Sequence, residues 1–190
     1  MPTSDSAPAP GAGGDSANVG APGLTLTATV DAGGNALIPI AGTGIPDGRY
    51  SALVTSSAPI VAERQLRRTG DPRVVTTVQF GSRLTARRWE FATAAPAGWA
   101  PTLIVANTTT TDASVTVRTL GAAGLVAVAS NSDVRVPAGG MARLDLSAAG
   151  VGQSALVVES NVEIVVERLI APSPDRPGSS ASLGMPEVNT

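Results

Sequence analysis

The chain carries one sequence pattern twice, and this repeat constrains its fold more than any other feature. Residues 51–66 read SALVTSSAPIVAERQL and residues 154–170 read SALVVESNVEIVVERLI, so both contain Ser-Ala-Leu-Val and Ile-Val-x-Glu-Arg. A second match lies upstream of each, since VDAGGNALIPI at 30–40 aligns with VPAGGMARLDL at 136–146. A pattern that recurs in this way indicates a structural unit that is present more than once.

Alternating apolar residues and frequent turn formers predict that each unit is built from short β-strands. Between Leu24 and Val30 apolar side chains alternate with threonines, which is typical of a strand with one buried face. The 21 glycines and 15 prolines divide the chain into apolar segments, and these recur about every 8–12 residues without a helical period. We therefore predict an all-β fold of antiparallel, Ig-like β-sandwich modules in tandem.

The turn signals also give the expected positions of the strands. In the first copy the predicted strands are 24–30, 36–40, a hairpin of 50–56 with 59–66, and 74–80. In the second copy they are a hairpin of 102–107 with 113–120, then 124–130, 133–136 and 141–147, and a closing hairpin of 153–160 with 163–170.

The two copies are not equally complete, which sets the predicted domain organisation. A front half at about 83–130, with both tryptophans, precedes the second copy, whereas the first copy is preceded by residues rich in Pro, Ala, Gly and Ser. Either other strands complement the first copy, or the chain is part of a longer array, which is the favoured interpretation. The predicted segments are a disordered linker at 1–23, the back half of a first module at 24–79, a complete second module at 80–172 and a flexible tail at 173–190.

The composition removes several kinds of chemistry. The chain has no cysteine for disulfides or thiolates, and no histidine, the usual general base and the commonest metal ligand. The carboxylates lie near predicted turns without the spacing of a calcium loop. We therefore expect no catalytic residue, no cofactor, no metal site and no enzyme activity.

Charge and hydrophobicity limit the partners. The formal charge is −2 and all 13 basic residues are arginines, so no overall field attracts nucleic acid, and no nucleic-acid partner is expected. No apolar stretch is long enough for a transmembrane helix, and the N-terminal residues lack the pattern of a signal peptide.

The Glu-Arg pair of the repeat is a candidate site in both copies. It comprises Glu63, Arg64, Glu167 and Arg168. Neighbouring residues of a strand lie on opposite faces, so the two charges of one motif cannot pair with each other inside that strand. One interpretation is a charged binding patch present in both units. The favoured one is structural, an ion pair at a sheet edge or between modules that fixes register.

A cluster of arginines is the second candidate site. It comprises Arg64, Arg67, Arg68, Arg73, Arg83, Arg87 and Arg88. Such a cluster could bind a polyanion, such as nucleic acid, a teichoic-type polymer or phospholipid head groups. Interleaved aromatic residues are sparse and no nucleic-acid motif is present, so a solvated joint between modules is the favoured alternative.

Two further motifs are assigned to turns. Asn107-Thr-Thr fits a glycosylation acceptor, but these residues also favour the tight turn that is predicted there. Gly33-Gly34 and Gly139-Gly140 are not followed by the residues of a phosphate loop. They are interpreted as hairpin turns that need a positive φ.

Together these motifs resemble a known family. They are Arg88-Trp-Glu-Phe-Ala, Leu103-Ile-Val-Ala-Asn, Val136-Pro-Ala-Gly-Gly and the segment from Val158 to Arg168. They are similar to modules of secreted or surface-anchored actinobacterial proteins catalogued as domain of unknown function 5719. The resemblance covers about 24–185, although Glu163 replaces the proline that the first copy keeps at Pro59. It implies an exported protein, secreted or at the cell surface, without known catalytic residues.

The resulting functional hypothesis is a non-catalytic extracellular or cell-envelope β-sandwich repeat module that acts as a structural or adhesive spacer. The alternative is a binding module for an anionic envelope polymer, which would use the cluster between Arg64 and Arg88. The expected partner is an envelope polymer or another surface protein, and the oligomeric state stays open. An enzyme ranks last because no nucleophile–base pair or metal-ligand set can be assembled from the sequence.

Overall fold

The computed structural model describes residues 24–45, 50–68, 75–92, 95, 98–146, 151, 154–171 and 179–187. The predicted all-β fold with an antiparallel sandwich is confirmed, because every strand pairing is antiparallel and the described residues contain no α-helix. The strands are β1 (Glu63–Arg68), β2 (Val75–Phe80), β3 (Ala86–Phe91), β4 (Ala100–Ala106), β5 (Ala113–Gly121), β6 (Gly124–Ala127), β7 (Val134–Val136), β8 (Met141–Asp145), β9 (Leu156–Ala171), β10 (Ser180–Leu183) and β11 (Met185–Pro186). Within these ranges, no helix is long and apolar enough to cross a membrane.

Strand β9 organises the sandwich because its 16 residues belong to both sheets. Its first part pairs with β3 on one side and β5 on the other, and Val158 lies opposite both Trp89 and Val117. Its second part pairs with β4 and β10. The first sheet also contains β6, β7 and β11, and the second contains β8. A strand that passes from one sheet to the other forms a corner of a sandwich.

The core lies between the two sheets and is made mainly of aliphatic side chains. In β5, Val115 and Val117 are fully buried, whereas Ser114, which precedes Val115, is exposed. This is the alternation expected of a strand with one buried face. From the other sheet, Leu103 and Val105 of β4 contribute buried side chains to the same core. Burying each such side chain stabilises the fold by about 1.5–3 kcal/mol relative to leaving it exposed.

The predicted closing hairpin of 153–160 with 163–170 is wrong. These residues form the single strand β9, and their two halves pair with different partners. The chain does not turn at residues 161–162 because Asn161 is held in the extended strand, where its Oδ1 accepts the Ser114 N–H at 2.7 Å. The strand continues through these residues, and its register with β3 shifts between Ala86 and Arg88.

The predicted hairpin of 102–107 with 113–120 is also wrong. Strand β4 pairs with β8 and β9, whereas β5 pairs with β6, β7 and β9. The loop between β4 and β5 therefore crosses from one sheet to the other. The strands predicted at 124–130, 133–136 and 141–147 do exist, as the shorter β6, β7 and β8.

The first copy differs most from expectation. Residues 24–45 and 50–62 contain no strand, so the strands predicted at 24–30, 36–40 and 50–56 are wrong, and so is the hairpin of 50–56 with 59–66. The matching residues of the second copy form strands because β3, β4 and β5 pair with them. These three strands pair with the second copy and are not available to the first. Both edges of β4 and of β5 are already taken by other strands.

The end of the chain also contains structure that the sequence pattern did not predict. Residues 173–190 are predicted as a tail without strands, which is wrong for β10 and β11. Strand β10 pairs with β9, and β11 pairs with β3 at Trp89 and Glu90. These segments are too short to show an alternating pattern. The predicted linker at 1–23 lies outside the described residues.

Candidate functional site

The Glu-Arg motif lies in an equivalent strand pair in both copies. In the first copy β1 pairs with β2, and Glu63 lies opposite Phe80. In the second copy β9 pairs with β10, and Glu167 lies opposite Leu183. A matching hydrogen bond closes each pair: the Gly81 N–H donates to the Ala62 carbonyl at 3.0 Å, and the Gly184 N–H donates to the Val166 carbonyl at 3.2 Å. The similarity between the copies thus extends into β2 and β10, where an apolar residue followed by glycine was the available sequence signal.

The motif also joins the two copies. A guanidinium nitrogen of Arg64 donates to Glu167 Oε1, and the Glu167 side chain is only 10% exposed. Nearby, the hydroxyl groups of Thr77 and Ser179 are hydrogen-bonded to each other. The strand pair β1–β2 therefore lies against the pair β9–β10, with the arginine of one motif on the carboxylate of the other. Pairing across the copies is the kind of contact that the structural interpretation of the motif expects.

Arg168 lies on the opposite face of β9 from Glu167, as the alternation of a strand requires. Its side chain is buried, and the guanidinium carbon lies 5.3 Å from the centroid of the Phe91 ring. Burial lowers the pKa of Arg168 below its usual value. A cation over an aromatic face keeps part of the stabilisation that the arginine loses on leaving water. Arg168 therefore helps to fix β9 to β3.

A double-mutant cycle tests the joint between the copies. We expect Arg64→Ala and Glu167→Ala to couple by about 0.5–1 kcal/mol in the free energy of unfolding, because Arg64 is partly exposed and its attraction to Glu167 is screened by water. Urea unfolding at low salt measures the coupling, which should shrink at high salt. Arg67, an exposed arginine on the same strand, is the matched control. Equal coupling of Arg67 to Glu167 would contradict the assignment.

The arginine cluster is divided among different surroundings. Arg88 pairs with three carboxylates: Glu90 at 3.0 Å, Glu159 at 3.1 Å and Glu187 at 3.1 Å. These contacts raise the pKa of Arg88, and the largest cause is the hydrogen bond with Glu90. Glu159 is also bound by Arg118, whose Nε donates to its carboxylate at 2.6 Å. Arg88 is therefore surrounded by negative charge and is poorly placed to bind a polyanion.

The other members of the cluster differ from Arg88. Arg64 forms an ion pair with Glu167, as described above. Arg67, Arg83 and Arg87 are exposed and form no ion pair with any residue in the described ranges. Arg73 lies outside the described residues, and Arg68 is described only as part of β1.

Asn107 is the most extensively hydrogen-bonded side chain in the loop between the sheets. Its Nδ2 donates to the carbonyls of Thr111 at 2.8 Å, Val136 at 3.1 Å and Pro137 at 3.1 Å. Its Oδ1 accepts the Thr109 N–H at 3.0 Å and the Thr109 hydroxyl at 2.7 Å. The side chain is 1% exposed. In the folded chain Asn107 holds the loop in place through these hydrogen bonds, and its buried side chain is not an accessible glycosylation acceptor. This agrees with its assignment to the turn.

The two Gly-Gly turns share one backbone geometry. Gly33 and Gly139 have φ angles of 71° and 64°, which confirms the predicted positive φ. In each turn the next glycine donates its N–H back over three residues at 2.9 Å, to the carbonyls of Asp31 and Pro137. The interpretation of the two turns as hairpin turns is wrong. No strand flanks Gly33-Gly34 within residues 24–45, and β7 and β8 on either side of Gly139-Gly140 pair with strands of different sheets.

Asp112 fastens the loop between β4 and β5 to the second Gly-Gly turn. Its carboxylate accepts the Ala138 N–H at 3.0 Å and Arg135 Nε at 2.8 Å. The pKa of Asp112 lies below its ordinary value. The largest cause is the backbone hydrogen bond from Ala138, and the second is the hydrogen bond from Arg135. A carboxyl group whose pKa is lower in the folded than in the unfolded state stabilises the fold when it is ionised.

The pH dependence of Asp112→Asn tests this contact. Since the folded pKa is lowered, the stabilisation by Asp112 is present above the unfolded pKa and is lost as the pH falls through the folded pKa. We expect the variant to be less stable than the parent chain at pH 7 and the difference to disappear in acid. Urea unfolding across this range measures it, with the exposed Asp133→Asn as the control. A difference that is independent of pH would contradict the role of the charge.

A groove lies between the β2–β3 connection and the described end of the chain. It is open to solvent, and its lining includes Leu84, Trp89, Leu183 and Pro186, with Arg83 as the one charged side chain. Neither a carboxylate nor a nucleophile–base pair lies in this lining. Elsewhere among the described residues, no three carboxylates are grouped so that they could hold a metal ion.

Comparison with known proteins finds a family model that matches part of the chain. Residues 85–167 match the model of a family of unknown function, DUF5719. No curated protein matches the chain. Among solved structures, the crystal structure of Thermotoga maritima 1070 is similar over 55% of this chain and 97% of its own, at 18% sequence identity and a TM-score of 0.45. The match to the family of unknown function 5719 therefore covers the segment that holds the tryptophan strand, the Asn107 loop and the second Glu-Arg motif.

Proposed function

We propose that the chain is a non-catalytic module of an extracellular or cell-envelope protein, where it acts as a structural or adhesive spacer. The observation that carries this proposal is the use of the motif side chains. Trp89, Asn107 and Glu167 each belong to a motif of the family-like pattern, and each is buried in contacts that hold strands or loops together. Residues used in this way define a stable shape.

The placement of the carboxylates supports the same proposal. Glu159 is engaged by Arg88 and Arg118, Glu163 accepts the Thr85 hydroxyl at 2.6 Å, and Glu167 is engaged by Arg64. Hydrolysis of glycosides generally needs two opposed carboxyl groups that flank a substrate cleft. These three serve as partners for neighbouring side chains instead, which favours a structural role over a catalytic one.

Surface exposure on intact cells tests the proposed location. Cells that make the chain are treated with protease before and after lysis, and peptides from residues 85–167 are identified by mass spectrometry. We expect these peptides from intact cells. Their release only after lysis, together with the release of a known internal protein, would contradict an envelope location.

A substrate screen tests the absence of catalysis. The purified chain is incubated with glycoside, ester, peptide and phosphate substrates, and we expect no turnover above that of a heat-unfolded sample. Turnover that disappears when Glu159 or Glu163 is replaced by Gln would overturn the proposal, because these carboxylates would then have a chemical role.

A second candidate function is binding of an anionic polymer, and the exposure of Arg67, Arg83 and Arg87 favours it. Immobilised heparin is a suitable probe because electrostatic binding to a polyanion weakens as salt rises. The triple Arg→Ser variant should elute at lower salt than the parent chain. Arg87→Ser is compared with Arg135→Ser, an exposed arginine outside the cluster. Equal shifts for the two single variants, or no retention at low salt, would contradict a specific role of the cluster.

A further inference from the structure

The first copy exposes the side chains that match the core of the second copy. Five apolar residues of the first copy are between 44% and 79% exposed: Val30, Ile38, Ile40, Leu53 and Ile60. Their counterparts in the aligned second copy are at most 3% exposed: Val136, Leu144, Leu146, Leu156 and Ile164. Chemically similar side chains are thus buried in one copy and in contact with solvent in the other.

Three strands of the front half complete the second copy. Leu144 lies opposite Leu103 of β4. Leu156 lies opposite Phe91 of β3 and Thr119 of β5. Each of these strands pairs with the closing strands β8 or β9, so the core face of the closing half depends on β3, β4 and β5 together.

The first copy nevertheless keeps the local geometry of a closing half. Its Gly-Gly turn has the same positive φ and the same hydrogen bond as the turn of the second copy. Its Glu-Arg strand forms the same hairpin, closed by Gly81 as the second is closed by Gly184. In the described structure, the first copy therefore differs from the second in lacking the strands that would pair with it and cover it.

We infer that residues 24–62 form a docking surface for the front half of another module of the same kind. The partner is a segment that corresponds to residues 84–129. Its equivalents of β3, β4 and β5 pair with the first copy in the register that these strands have with β8 and β9. Docking converts the exposed segment into strands and buries its apolar side chains, because addition of strands supplies both the hydrogen bonds and the missing core face.

Arg64 gives this docking a second consequence. Its counterpart, Arg168, lies over Phe91 of its own module, whereas Arg64 pairs with Glu167. A docked front half brings the equivalent of Phe91 to Arg64 and competes with Glu167 for it. The joint between the copies therefore changes when the first copy is completed.

Hydrogen–deuterium exchange on an extended chain tests the inference. A copy of residues 84–129 is inserted between Gly23 and Leu24, which reproduces the spacing of the second copy because Leu24 aligns with Ser130. We expect peptides from 26–40 and 50–62 to exchange at least about 100-fold more slowly than in the unextended chain, since strand pairing protects amides. Peptides from 141–145 and 156–171 should stay protected in both proteins and report that the second copy is folded.

A matched insert separates docking from the effect of added length. The control carries Leu103→Asp and Val115→Asp in the inserted copy alone, and it should leave 26–40 and 50–62 unprotected. Equal exchange with both inserts would overturn the inference. Protection that is already present in the unextended chain would also overturn it: if it is independent of concentration, the first copy folds without a front half, and if it rises with concentration, a second copy of the chain is the partner.

Discussion

Replacing Trp89 with alanine is expected to lower the free energy of unfolding by about 4 kcal/mol. The side chain is 1% exposed and belongs to the main core cluster. Its Nε1 donates to the carbonyls of Ile164 at 2.9 Å and Ala86 at 3.2 Å. Alanine leaves a large cavity and removes the donor for two buried carbonyl groups, one in β3 and one in β9, where the register of the two strands shifts. Urea unfolding followed by far-ultraviolet circular dichroism measures the loss.

Two controls separate the contributions of the ring and of its N–H. Trp89→Phe keeps most of the packing but leaves the carbonyls without this donor, so we expect a loss of about 1–2 kcal/mol. Trp99, the other tryptophan, is only partly buried, and Trp99→Ala should cost less than half as much as Trp89→Ala. Similar losses at both positions would contradict the central place of Trp89 in the core.

Replacing Asn107 with alanine is expected to lower the free energy of unfolding by about 3 kcal/mol. The substitution removes five hydrogen bonds of a fully buried side chain. Three carbonyl groups, of Thr111, Val136 and Pro137, lose a donor, and the one of Val136 belongs to a buried residue. The same measurement of urea unfolding applies.

Asn107→Asp tests whether the hydrogen bonds donated by Nδ2 are needed, or only a polar side chain at this position. A carboxylate would place negative charge against the three carbonyls that now accept from Nδ2, so we expect a loss at pH 7 at least as large as for alanine. Thr110→Ala, at an exposed neighbour in the same loop, should change stability by less than about 0.5 kcal/mol. A stable Asn107→Asp variant would show that the hydrogen bonds are not needed.

Local features of the fold could be predicted from the sequence because they depend on neighbouring residues. The positive φ at Gly33 and Gly139 follows from the need of a tight turn for a residue without a side chain. The alternation in β5 follows from the two faces of a strand. For the same reason the opposite faces of Glu167 and Arg168 were predictable from their adjacent positions.

Strand pairing could not be predicted because it is decided by distant residues. Strands β4 and β5 are joined by a short loop, which suggested a hairpin, but the buried Asn107 holds that loop between two sheets. Strand β9 contains residues that look like a turn, and Asn161 keeps them extended through its bond to Ser114. The partner of Glu167, Arg64, lies 103 residues earlier in the chain.

Amide hydrogen exchange in the unmodified chain, resolved residue by residue by nuclear magnetic resonance, is the most direct test of the account. The central claim is that the second copy is a complete sandwich whose motifs hold it together, whereas the matching residues of the first copy have no strand partners. The account predicts that amides of β9 at 156–166 are among the slowest to exchange and that those at 52–62 exchange near the rate of an unfolded chain. Equal protection of the two copies, or rapid exchange throughout β9, would contradict it.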